Sequence, residues 1–304
     1  MEVLEQLCRN VYDCANILSY IDISTIIKFM SVSKFTYDLR YCVYNIILNN
    51  ELPANVITLF PNLLHLNCGN NRNVNDKHMK LLEHLVTLQC GMSFITNEGI
   101  KCLHNLRELY CDFNTRLSDK AVSDLDNLIV FDCGRCPNFT DYSVKKLYNL
   151  RHLDCGFSLN FSDECLENLS DLRVLKCGGN LFTDEGISKM NKLAYLDCGW
   201  NKNITEKSLL NLEHLNVLIC NHFTPPVEKL FEKLIELCVI FCSQKNVQYN
   251  VTCVSSFDEN KNTTITKNQI STIILKSNIV VYYGLGISPI QKKDYLNALQ
   301  KIKS

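Results

Sequence analysis

Nine cysteines, Cys68, Cys90, Cys111, Cys133, Cys155, Cys177, Cys198, Cys220 and Cys242, follow one another at intervals of 21 or 22 residues. Such a column could serve three chemistries. Thiolates gathered in fours, or mixed with His, hold zinc. A thiolate of lowered pKa attacks electrophiles or exchanges with disulfides. Paired thiols crosslink a secreted fold. Each chemistry makes a demand on placement. A single-file column offers one thiol per period where zinc needs several, and Cys133-Gly134-Arg135-Cys136 is the single CxxC of the chain. The total of 17 cysteines is odd, and MEVLEQLCRNVYDCANILSY at the amino terminus is acidic and polar where a secretory signal would be basic and then apolar. The column is therefore read as reduced, inward-facing thiols in a cytoplasmic setting, with the nucleus as the alternative; neither a metal nor a cofactor is expected.

The elements that position these thiols repeat with them. In Leu150-Arg151-His152-Leu153-Asp154-Cys155, strand alternation puts Leu153 and Cys155 on one face and His152 and Asp154 on the other. Phe161 follows as an apolar plug and Ser162 as an N-cap. Asp163 and Glu164 then suit the positive end of a helix that buries Leu166 and Leu169. The same order returns at Ile95-Thr96-Asn97-Glu98, Leu117-Ser118-Asp119, Phe139-Thr140-Asp141, Phe182-Thr183-Asp184-Glu185 and Ile204-Thr205-Glu206. One unit buries about six apolar side chains at roughly 1.5 to 3 kcal/mol each. Ordering its roughly 22 residues costs about 1 to 2 kcal/mol per residue. A unit alone cannot fold, whereas stacked units close a parallel sheet on one side and a row of short helices on the other. Six of the cysteines are followed by glycine (Gly69, Gly91, Gly134, Gly156, Gly178, Gly199), where the chain turns or crowds.

The LxxLxC frame, with Asn71, Ser93, Asn114, Cys136, Ser158, Asn180 or Asn201 three residues after the cysteine, resembles the leucine-rich repeat, with Cys where that family has Leu. The element Phe182 to Ile187 is similar to the cysteine-containing subclass common in F-box proteins. The resemblance implies an α/β leucine-rich-repeat solenoid of about nine repeats over residues 51–245, its parallel sheet concave and its short helices convex. A helical domain at 1–50 precedes it and a mixed cap at 246–304 closes it. In that cap, residues 243–270 read as a polar loop, Ile270 to Tyr283 as strands and Pro289 to Ile302 as a helix.

Two readings of the first fifty residues stand side by side. They form a helical cap for the open end of the array, or an F-box. Ile17-Leu18-Ser19-Tyr20-Ile21-Asp22 and Val32-Ser33-Lys34 resemble two blocks of that motif, while Arg9-Asn10-Val11-Tyr12 stands where its Leu-Pro would be. The F-box resemblance implies docking on the Skp adaptor of a cullin-RING ubiquitin ligase through Leu18, Tyr20, Ile21, Ile26, Ile27, Met30 and Val32. Receptors of this order are numerous in giant viruses of amoebae, which implies a host cytoplasm as the setting. The target protein would lie on the concave face, on Tyr110, Asp132, His152, Asp154, Lys176, Tyr195 and Asp197 of the strands and on Phe113, Arg135, Phe157 and Trp200 just after them. The alternative is a repeat scaffold or inhibitor with no link to ubiquitin.

Other classes are disfavoured. Lys+Arg 31 against Asp+Glu 32 gives a net charge of -1, no footprint for nucleic acid. The apolar run Ile279 to Ile287 is about half of the roughly 20 residues that cross a bilayer. No GxSxG, HExxH or P-loop occurs, so a non-catalytic subunit is expected.

Overall fold

The computed structural model describes residue 18 and residues 21–48, 53–209, 211–215, 217–219, 253–254 and 280–282. The chain divides into two compact units, Met1–Leu150 and Arg151–Ser304.

The first unit opens on a helix, Ile23–Met30, capped by Asp22, whose Oδ1 accepts the Thr25 N–H at 3.0 Å. A shorter helix, Lys34–Asp38, and a 3-10 turn, Leu39–Cys42, follow. Asn45–Ile47 then forms a strand, β1, within the segment expected to be helical. Its alternation explains this: Ile46 is buried between exposed Asn45 and Ile47, a period of two. β1 pairs in parallel with β2 (His65–Asn67), and β3 (Thr87–Gln89), β4 (Glu108–Tyr110) and β5 (Val130–Asp132) follow in strict register. In the second unit β6 (His152–Asp154), β7 (Val174–Lys176), β8 (Tyr195–Asp197) and β9 (Val217–Ile219) continue the pattern. β11 (Val280–Tyr282) pairs with β9, and β10 (Cys253–Val254) with β11, all in parallel. β10 thus falls in the stretch expected to be loop. The helix expected over Pro289 to Ile302, and Cys220 and Cys242, lie outside the described residues.

Opposite the strands, each period contributes a single turn of four residues, such as Asn97–Ile100 or Asp184–Ile187. A turn this short is unstable by itself, and it is tied down in three ways. First, the plugs Ile95, Leu117, Phe139, Phe161, Phe182 and Ile204 are fully buried; Phe139 meets Phe131 edge to face at 5.2 Å. Second, the capping hydroxyls of Thr96, Thr140, Thr183 and Thr205 accept the N–H two residues on, at 3.2 to 3.3 Å.

Third, the aspartate that follows a cap turns toward the next period. Asp76 accepts both the N–H (2.8 Å) and the hydroxyl (2.7 Å) of Thr96, and Asp119 does the same for Thr140. Asp163 does so for Thr183 and Asp184 for Thr205. Each carboxylate therefore latches onto the cap of its successor through two charge-assisted bonds, of a kind worth roughly 1.5 to 3 kcal/mol each. The glycine of Thr96-Asn97-Glu98-Gly99 and of Thr183-Asp184-Glu185-Gly186 leaves room for this. A Cβ on Gly99 would stand 2.5 Å from the Asp76 carboxylate, and one on Gly186 would collide with Asp163.

The seven described column cysteines are fully buried and not disulfide-bonded, facing inward as the alternation requires. The residue three places on donates to the cysteine carbonyl of the preceding period: Asn114 Nδ2 to Cys90 (3.3 Å), Cys136 Sγ to Cys111 (3.1 Å) and Asn180 Nδ2 to Cys155 (3.0 Å). Asn and Cys recur at that position because each can donate into a buried carbonyl that would otherwise go unpaired.

A helical Gly→Ala exchange ordinarily gains up to about 1 kcal/mol of propensity. Gly186→Ala is expected to reverse that sign and cost about 1 to 3 kcal/mol by overpacking the latch, as read by urea unfolding. Burial acts to raise the Asp184 pKa, but the hydrogen bonds from Thr205 and Ser208 outweigh it and the net shift is downward from 3.8. A lowered folded-state pKa means that this stability is present above 3.8 and fades as pH falls further. Asp184→Asn is therefore expected to be less stable than the parent at pH 7 and to converge with it in acid.

Candidate functional site

The residue two places after each of the seven described column cysteines has left-handed backbone: Asn70, Met92, Phe113, Arg135, Phe157 and Trp200 lie at φ 53° to 65°, and Gly179 at 72°. For a bulky side chain this region costs on the order of 1 to 3 kcal/mol. The turn is held because the same residue's N–H reaches the next period: Phe113 to the Gly134 carbonyl (2.9 Å) and Phe157 to that of Gly178 (2.7 Å). Gly179 satisfies this geometry without strain, so the fold itself does not call for the aromatic and basic residues elsewhere in the column.

Those residues are also exposed. Phe113, Phe157 and Trp200 are 40%, 45% and 52% exposed, Met92 is similar and Arg135 is exposed as well. In the first unit the Arg135 guanidinium lies 4.9 Å from the Phe113 ring centre and that of Arg116 lies 4.5 Å from Phe94. In the second unit the Phe157 ring occupies the space above Gly179, where a Cβ would meet it at 3.0 Å. Four positions after the cysteine come Phe94, Leu159 and Leu181, likewise exposed. Sequence reasoning passed over these three and Met92, although the fixed count from the cysteine could have located them.

The strand positions behave differently. Asp132, Asp154 and Asp197 each accept the N–H of the glycine two residues on (Gly134, Gly156 and Gly199) at 3.1 to 3.2 Å, as Asn67 does for Gly69. These carboxylates build the turn as well as facing out. Lys176 Nζ bonds to Asp154 at 2.8 Å, and the Tyr110 hydroxyl donates to Glu108 at 3.1 Å. His152 is half-buried. Tyr195 departs from expectation: it is 1% exposed, in register with the apolar Val174 and Val217, and is not available to a partner. Burial, then the charge of Asp154, push the Asp197 pKa up, against the Gly199 hydrogen bond and Lys176.

The cysteines take no part in this surface. Burial pushes the Cys68 thiol up to about 12 and those of Cys90, Cys111 and Cys177 well above their usual value, the opposite of what a nucleophile or metal ligand needs. Two of the glycines after them answer crowding: a Cβ on Gly91 would stand 2.8 Å from the Asp112 carbonyl oxygen and one on Gly178 2.6 Å from that of Gly199, whereas Gly69 and Gly156 would meet only ordinary contacts.

Of the expected adaptor residues, Leu18, Ile26 and Met30 are buried, Ile27 is half-buried, and Ile21 and Val32 are exposed, Val32 by 61%. Tyr20 lies outside the described residues. Exposed Tyr37 and Tyr41 flank Arg40, whose guanidinium sits 4.3 Å and 4.7 Å from their ring centres.

The parallel strands, single-turn helices and 21- or 22-residue period make this chain a leucine-rich-repeat solenoid. No protein-family model and no curated protein sequence matches it. Solved structures similar to it include internalin C2 of Listeria monocytogenes, 21% identical over 68% of this chain and 84% of that one, TM-score 0.45. Another is the functional domain of InlJ from the same organism, described as including a cysteine ladder: 22% identity, 61% of this chain, TM-score 0.48. The chain spans 40% of that InlJ chain. A third is the Listeria internalin inlF, 18% identical over 71% of this chain and 85% of that one, TM-score 0.37.

Trp200→Gly relieves left-handed strain, so its stability is expected to equal the parent's or exceed it by up to about 1 kcal/mol. For Asp197 the folded-state pKa is raised, so the stability tied to its proton is present in acid and lost as pH rises. Asp197→Asn is thus expected to melt no lower than the parent at pH 7, and higher by a margin that vanishes below pH 3.8.

Proposed function

We propose that the chain is a non-catalytic receptor that holds a target protein on its repeats and presents it, through the N-terminal helices, to the Skp adaptor of a cullin-RING ubiquitin ligase. The observation that carries the first half is the column of bulky, exposed side chains kept in left-handed backbone where glycine would serve the fold. Exposed aromatics and arginines on a rigid frame are the residues that dominate protein recognition. The work expected of such a receptor is juxtaposition of two proteins in the cytoplasm.

The adaptor half draws on the F-box resemblance and on the division of labour in the first helices. Leu18, Ile26 and Met30 are buried, while Ile21, Val32 and Tyr37 leave an apolar surface outside. A second reading, a repeat scaffold or inhibitor without ubiquitin coupling, is favoured by Arg9-Asn10-Val11-Tyr12 in place of Leu-Pro.

Co-purification with a Skp adaptor separates the two. The parent chain is expected to retain the adaptor, and Ile21→Asp plus Val32→Asp, both at exposed positions, to lose it while melting as the parent does. A parent chain that retains no adaptor leaves the scaffold reading in place.

A further inference from the structure

In the second unit the two exposed columns bring together Phe157, Leu159, Leu181 and Trp200, 45% to 64% exposed, along the edge where the strands end. Neighbouring parallel strands lie about 4.8 Å apart, so β6 to β8 spans roughly 10 Å, the length of about three residues of extended chain. Beside this apolar edge stand Asp154, Lys176 and Asp197. Lys176 bonds to Asp154 at 2.8 Å and its charge also reaches Asp197, so two carboxylates against one ammonium leave a net negative charge on this patch. Asp197 Oδ1 accepts the Gly199 N–H at 3.1 Å. Burial and the nearby Asp154 work against its ionised form, a disadvantage that an arriving cation would remove. An asparagine would build the same turn, as Asn67 does with Gly69 at 3.1 Å, so the turn does not explain the charge.

We propose that this edge takes an extended segment of the partner protein in which a lysine or arginine is flanked by apolar residues. The cation lies against Asp197, and the apolar neighbours cover Trp200, Leu181 and Phe157. An acidic segment, a nucleic acid or an anionic lipid would bring negative charge to Asp197 and is disfavoured by the same geometry.

The proposal rests on the protein-binding reading above, and the test separates the two. Random peptides displayed on phage are selected on the full-length chain, and the enriched clones are measured against variants. The expected clones carry Lys or Arg among apolar residues, and Asp197→Asn weakens them about tenfold or more, as loss of a charge-assisted bond should. Trp200→Gly does likewise while melting no lower than the parent. Acidic or charge-free clones, or clones that bind Asp197→Asn as tightly as the parent, overturn the proposal. If such clones instead lose binding to Phe113→Gly plus Arg135→Gly, protein binding stands at the first unit. Absence of any enriched clone overturns both.

Discussion

Everything in this fold depends on how closely one period can approach the next at the cysteine position. The backbones come so near there that a Cβ on Gly178 would strike the carbonyl oxygen of the following period. On the opposite, inward face stands a thiol, small, apolar and fully buried in every described period. Burial then raises the thiol pKa, so the property that makes cysteine fit also makes it inert. Its own carbonyl finds a donor three residues into the next period, and the strand ladder follows in register.

The latches between aspartate and threonine extend this logic to the other side of the sheet. A four-residue helix gains little from its own hydrogen bonds, so its stability comes from the neighbouring period. Nothing in this scheme calls for Phe113, Phe157 or Trp200. They cost backbone strain and face solvent, whereas the threonines, plugs and cysteines lower the energy of the stack. The two sets of residues separate in position: the packing residues keep the cysteine register, and the bulky exposed ones stand two and four residues beyond it.

Much of this was legible in the residues. Alternation around Cys155 placed Leu153 inward, the Phe-Thr-Asp order marked plug and cap, and the repeat length implied the parallel stack. The latches were not legible, because Asp163 and Thr183 are 20 residues apart and only their geometry shows which partner each serves. Asp163 looked like an acid on a helix dipole. Asp132, Asp154 and Asp197 read as target-binding charges, and two-residue periodicity could not show that each also closes a turn onto a glycine. Tyr195 shared its column with half-buried polar residues such as Glu108 and His152, and alternation by itself does not show that its ring is buried. The left-handed backbone at Phe113 and Trp200 left no compositional trace, since glycine, its usual marker, occupies that position only at Gly179.

The claim that the cysteine column is the packing element of the stack is tested most directly by site-resolved thiol alkylation of the native protein, read by mass spectrometry. Cys42 and Cys102, which are partly exposed, should label in the folded state. Cys68, Cys90, Cys111, Cys133, Cys155, Cys177 and Cys198 should label only at the rate at which the chain unfolds. Rapid modification of the column in the folded protein, with the melting transition unchanged, would contradict the account.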